Sequence, residues 1–352
     1  MKNIEGIIEG ARKVIQSHCV DGGSGYSRWI WQNATNDREL VINPYGCADA
    51  ANIRYMIGEF PATSAERENW IINLQGFQNP ISGLFEEATH HPYHTTAHCV
   101  AALELFEEKA VHPLFDMQPY LQQHNLEQFL DGLCWSEDPW LASHQGAGIY
   151  AAMVLMEEAD MQWEDRYFRW LSIEADPETG FWRKGQVKPV LKADSFAGVR
   201  AKPSVFPHLA ASFHYLFNHE YAHRPLPYPD KIVDTCLAIY KKNDWETLGK
   251  KVSFAEIDWV YCLNRGLRHS GHRFDEAKTA LHDFALTYID YLEHLDYETD
   301  DGFNDMHSLF GCICALAELQ NALPGELVTN KPLKLVLDRR PSVSYTHLTL
   351  PT

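Results

Sequence analysis

Thr179-Gly180-Phe181-Trp182, followed after an insertion by Phe206-Pro207-His208-Leu209-Ala210-Ala211, is the stretch on which the fold reading turns. A Gly-aromatic turn precedes a polar residue, and that residue opens an apolar helix rich in small side chains. The same order recurs at Ser82-Gly83-Leu84-Phe85 before His94, at Asp131-Gly132-Leu133 before His144, and at Asp301-Gly302-Phe303 before His307. Each unit reads as one helical hairpin that cannot bury its apolar face alone, so its neighbours must complete the core.

Working outward, apolar periodicity near 3.6 residues predicts segments of two alternating kinds. One kind carries a charged face, near 3–18, 63–76, 118–132, 163–174, 229–243 and 274–294. The other is rich in Ala, Gly, Cys and aromatic residues with few charges, near 47–59, 92–107, 140–156, 204–219, 254–268 and 304–320. A helix that is apolar nearly all round must be buried, whereas one with a charged stripe faces water. Six buried helices ringed by six outer ones describe an all-α, (α/α)6 toroid spanning residues 1–330 as one domain. An open helical solenoid is the competing architecture. Helix starts are marked by Thr63 with Glu66 at capping-box spacing, and by Pro92, Pro139, Pro207 and Pro229.

A composition of 45% hydrophobic and 22% charged residues is that of a folded globular chain. The formal net charge of −18 excludes a nucleic-acid partner, which needs a basic face, and argues against anionic membrane surfaces. No apolar run approaches the roughly 20 residues that cross a bilayer. Met1 to Cys19 reads as an amphipathic helix and not as a signal peptide. The eight cysteines follow no framework spacing, so reduced thiols and a cytoplasmic location are expected. Residues 331–352 form a tail. Its end, Ser342 to Thr352, fits no helical period and reads as a non-native translated segment.

The repeats resemble those of the terpenoid cyclase and protein prenyltransferase toroid superfamily, over about residues 70–320. Six-hairpin glycoside hydrolases and polysaccharide lyases are similar in outline. The prenyltransferase likeness implies zinc held by an Asp, a Cys and a His. Asp305-Met306-His307 is close to that family's histidine-bearing helix start, and Asp258 and Cys262 would stand for the other two ligands at a wider spacing than the family's. The terpene cyclase acid motif has only a near miss in Glu298-Thr299-Asp300-Asp301. Apart from such a zinc ion, no cofactor is expected. No Walker loop, GxGxxG or GxSxG is present, and Gly22-Gly23-Ser24-Gly25 follows a helix without a strand.

In a toroid the inner-helix N-termini converge on one funnel. That places Asp49, His94, His144, His208, Glu256, Asp258 and His307 around a pocket for a small-molecule or oligosaccharide substrate. Asp49, Asp258, Asp305 and His307 are the candidate catalytic residues, since paired carboxylates serve as acid and base in glycoside cleavage. Glu256 and Asp258 diverge by about 200° on a helix, so Asp258 is expected to face inward with Tyr261 and Cys262. His94, His98, His144, His208 and Glu256 would position the substrate. His94 and His98 share a helical face, although Thr95 stands where the zinc-protease motif needs Glu. The insertion between Trp182 and Pro203 holds Arg183, Lys184, Lys188, Lys192, Arg200 and Lys202 against Asp194. It reads either as a lid that grips a carboxylate, sulfate or phosphate through Lys202 and its neighbours, with Trp182 stacking on a sugar face, or as a solvated loop whose aromatics close the hairpin turn. The expected function is general acid/base chemistry on a carbohydrate, with isoprenoid transfer or cyclisation and non-catalytic ligand binding as alternatives.

Overall fold

The computed structural model describes residues 1–32, 38–191 and 202–338. The chain is all-α. Its helices are α1 Glu5–Ser17, α2 Pro44–Met56, α3 Ser64–Gln75, α4 Pro92–Glu104, α5 Gln123–Gly132, α6 Pro139–Leu155, α7 Met161–Glu174, α8 Phe206–Tyr221, α9 Pro229–Lys241, α10 Ala255–Ser270, α11 Phe274–Glu293, α12 Asp301–Asn304 and α13 Met306–Ala322. Lys2–Asn3 and Leu327–Val328 pair as a two-residue parallel ladder that ties the first helix to the end of the last. No helix among the described residues is long and apolar enough to cross a membrane. All eight cysteines are free.

Local chemistry explains the helix starts. Thr63 and Glu66 form a reciprocal capping box on α3. Pro occupies the first turn of α2, α4, α6, α8 and α9, where its missing N–H leaves no orphan. In α1 the buried residues Ile7, Ile8, Ala11, Val14 and Ile15 form one stripe. By contrast α13 is buried nearly all round, from Met306 to Ala322. That difference sorts the helices into two layers. In the buried set, α2 packs on α4, α4 on α6, α6 on α8, α8 on α10, α10 on α13, and α13 on α2. The charged-faced helices lie outside, α3 against α2 and α4, and α9 against α10.

The repeated turn has a definite structure in two places. At Asn79 and at Asp176 the side-chain oxygen accepts N–H bonds two and three residues on, from Ile81 and Ser82 and from Glu178 and Thr179. The backbone N–H of each donates to the carbonyl five residues on, 2.9 Å at Leu84 and 2.8 Å at Phe181. Gly83 and Gly180, both at φ +77°, close these turns. The next aromatic then donates its N–H to a hydroxyl of the following buried helix, Phe85 to Thr96 (2.9 Å) and Trp182 to Ser212 (3.0 Å). Gly132 ends α5 and Gly302 sits in α12, so these two glycines do not repeat the turn. Asp296 builds a related turn, with Asp300 where the others carry Gly.

Position 180 is closed to a side chain. Its φ is left-handed, and a Cβ there would lie 2.6 Å from Ile232 Cγ1 and 2.8 Å from the Tyr228 carbonyl oxygen. Gly180→Ala is therefore expected to lower unfolding free energy by about 2 kcal/mol or more, from backbone strain and overpacking together. Denaturant titration checks this, and an unchanged midpoint would count against the turn's role in the fold.

Candidate functional site

A cavity of about 1340 Å³, its open mouth included, runs among the buried helices. Near the helix N-termini it is walled by histidines: His90, His94, His98, His144 and His307, with His214 deeper along α8. Toward the C-terminal turns the lining becomes mostly apolar, with Leu105, Leu155, Phe217 and Tyr221 beside Glu104 and Asn218. Val336 and Leu337 also line it. The start of the tail thus packs across the helix ends, where Asp338 pairs with buried Arg265 and Arg265 pairs with Glu318. Residues 342–352 lie outside the described residues.

Behind the histidine wall sits Asp49, fully buried. Its Oδ1 meets His98 Nε2 at 2.7 Å and His307 Nδ1 at 3.0 Å, while Oδ2 is 3.1 Å from the same His307 nitrogen. Burial alone would raise the Asp49 pKa, but the neighbouring His307 and His98 outweigh it and hold the carboxyl well below the usual range. Burial lowers His307, with Asp49 opposing and Arg28 and His98 adding to the fall. A carboxylate held at Nδ1 orients an imidazole and steadies its protonated form, leaving Nε2 to exchange a proton at the cavity.

Asp305 plays a different part. It caps α13 by accepting from the His307 N–H and forms a two-pronged ion pair with Arg28, at 2.8 and 3.1 Å. Burial would raise it, yet the guanidinium lowers it overall. Arg28 also pairs with Glu87 and lies over the Tyr45 ring. Buried Tyr45 organises the wall: its ring stacks on His90 and His98 and meets His307 edge-on, while its hydroxyl is 2.6 Å from His94 Nδ1.

His94 and His98 share a helical face but serve different groups. His98 belongs with Asp49 and His307, whereas His94 converges with His144 and His214. Burial, reinforced by His144, His90 and His214, pushes His94 far below the ordinary histidine value. Asp258 lines the cavity, but beside Ile257 and Phe254, while Tyr261 and Cys262 are buried away from it. The Cys262 thiol donates to the Leu209 carbonyl, and burial raises its pKa well above the ordinary value. Asp258 and Cys262 do not join His307 in either metal-compatible group found among the described residues.

The other sequence-derived residues lie outside the cavity. His208 turns its Nδ1 to the Trp182 carbonyl at 3.1 Å. Trp182 is buried and bonds Leu171, so it is core and not a platform for a sugar ring. Glu256, pushed up to about 7 by burial, accepts from the Gly249 N–H and the Ser253 hydroxyl. Lys202 is exposed and pairs with Glu246. Arg183 is engaged by Asp131 and Glu174. Lys192, Asp194 and Arg200 lie outside the described residues.

His214, His90, Tyr45 and Arg28 are the site residues that sequence reasoning missed. The hydroxyl contacts just described align Thr96 with Ser212, and two residues on that pairs His98 with His214, not His94 with His208. Thr-x-His and Ser-x-His were thus the legible signal.

The chain matches no protein-family model, no curated protein and no solved structure. The site's chemistry therefore stands on its own geometry.

Three buried histidines, His90, His214 and His219, are each pushed down to about 4, mainly by burial. Below the unfolded value near 6.5 the unfolded chain takes up protons that the folded chain refuses. Stability is therefore lost as pH falls from 6.5 toward 4, with each group contributing up to about 1.4 kcal/mol per pH unit. His219 packs on Phe168, away from the cavity. His219→Gln should flatten the acid limb of stability against pH, and an unchanged slope would show that His219 is not held neutral.

Proposed function

We propose that the chain is an (α/α)6 toroid enzyme that uses histidine acid/base chemistry on a carbohydrate-type substrate carrying an apolar substituent. The contact of α13 with α2 supports closure of the ring of helices. Such a ring is also what the likeness to the terpenoid cyclase and prenyltransferase superfamily implies.

One observation carries the catalytic part: Asp49 lies buried behind His307 and His98, and both imidazoles line the cavity. Acid and base roles in this reading pass from a carboxylate pair to His307, with Asp49 as its orienting partner and Asp258, on the adjoining helix α10, as the carboxylate that lines the cavity. Asp49 and Asp305 do not line the cavity, and each is engaged by a cation or an imidazole. The histidine end and Trp140 suit a hydroxylated ring, since histidines exchange hydrogen bonds with hydroxyls and an aromatic face stacks on a sugar. The apolar end suits the substituent.

A specific observation favours the isoprenoid alternative, namely the apolar and aromatic lining from Leu105 to Tyr221. Against it, no Lys or Arg among the described residues lines the cavity, so a diphosphate finds no cation there. The same absence disfavours an acidic sugar and points to a neutral glycoside.

Alkyl and aryl glycosides, free sugars, prenyl alcohols and prenyl diphosphates should be compared by thermal stabilisation, and any stabilising compound then assayed for turnover. Glycosides with an apolar aglycone are expected to raise the midpoint most. Asp49→Asn and His307→Ala are expected to lower kcat by about 100-fold or more, with stabilisation by ligand retained in Asp49→Asn. Full turnover in both variants, or stabilisation by diphosphates alone, would overturn this reading.

A further inference from the structure

His94 on α4, His144 on α6 and His214 on α8 bring one ring nitrogen each to within 4.8 Å of the other two. Their ring centroids are 4.2 Å apart for His94 and His144, 5.2 Å for His144 and His214, and 5.3 Å for His94 and His214. All three line the cavity.

Two of the rings are held by hydrogen bonds at Nδ1. The Ser143 hydroxyl donates its single proton to the Trp140 carbonyl at 2.8 Å, so its oxygen accepts from His214 Nδ1–H at 3.1 Å. His214 is thereby the tautomer whose Nε2 carries the lone pair. Tyr45 meets His94 at Nδ1, which leaves Nε2 as that ring's other nitrogen. An imidazole fixed through one nitrogen so that the other can ligate is the usual support of a metal-bound histidine.

The neighbouring group Asp49, His98 and His307 differs in kind. Its carboxylate already bonds both imidazoles, so protons satisfy the cluster. The second group is made of imidazoles alone, one from each of three helices. Three imidazoles from three helices, beside an open cavity, match the donor set of a catalytic zinc ion that keeps its fourth position for water or substrate. Zinc bound at about 2.1 Å needs nitrogens about 3.4 Å apart, which small ring rotations supply.

We propose that His94, His144 and His214 bind one divalent transition-metal ion of the zinc type, with its open coordination position toward the cavity. This site is separate from the ligand set Asp258, Cys262 and His307 and does not depend on the acid/base reading, because bound metal is measured without turnover.

The full chain should be stripped with chelator, dialysed against Zn²⁺ or Co²⁺, and its metal content measured. One ion per chain is expected, with visible Co²⁺ absorption of the intensity typical of four-coordination. X-ray absorption of the zinc form should show three imidazole ligands. His214→Ala and His144→Ala should weaken binding by at least about 100-fold, while His307→Ala keeps the ion. Far-ultraviolet circular dichroism identifies any variant that fails to fold, in which case the wild-type ligand count decides. Failure of the wild-type chain to retain stoichiometric metal would overturn the proposal. So would loss of metal in folded His307→Ala with retention in His214→Ala, which would place the ion at Asp49.

Discussion

Six helices with almost no polar face must find one another, because no single hairpin can cover them. α13 shows the constraint most plainly: from Met306 to Ala322 nearly every side chain is buried, including Cys312, Cys314 and Glu318. At about 25 cal/mol per Å² of apolar surface, leaving such a helix in water is too costly for a marginally stable chain. Packing α2, α4, α6, α8, α10 and α13 side by side removes that surface. It also carries their first turns, and the polar residues on them, toward a common cavity. The charged-faced helices then need only one apolar stripe each.

Gathering polar groups in this way has its own cost, and the chain meets it with pairing and with neutrality. Asp49 is stabilised as a carboxylate by two imidazoles, Asp305 by Arg28, and Glu87 by His90 and then Arg28. His90, His94 and His214 are pushed toward the neutral form, mainly by burial. Neutral imidazoles are good ligands and good proton acceptors, so the same desolvation that protects the fold prepares the cavity for chemistry. At the far helix ends, the Arg265 and Glu318 pair performs the structural version of this task, with Glu220 and Asp338 also bound to the guanidinium.

Much of the fold was legible, because helical periodicity and capping are local properties. The twelve long helices lie within a few residues of the segments expected from apolar spacing, and Thr63, Pro92, Pro139, Pro207 and Pro229 mark their starts as anticipated. The Gly repeat was a poorer guide. Only Gly83 and Gly180 adopt the left-handed conformation of the shared turn, whereas the Asn or Asp opening it recurs at positions 79, 176 and 296. Aligning helices by their first histidine gave α8 the wrong register. His208 faces Trp182, and His214, two residues past the hydroxyl that receives the Trp182 N–H, faces the cavity.

By itself, then, the sequence determined helix positions and which helices are buried. Each of these follows from the 3.6-residue period and the cost of exposing apolar surface. Only the tertiary structure decided which polar residues meet. Arg28 reaches Asp305 across 277 positions and His307 reaches Asp49 across 258, and no local pattern encodes such distances. It likewise decided that Glu256 and Trp182 are structural and that His94 and His98, one turn apart, belong to different groups. A rotation of about 40° separates residues four apart on a helix. That is enough to set one imidazole against Asp49 and His307 and the other against His144 and His214, but its consequence depends on which helices stand there.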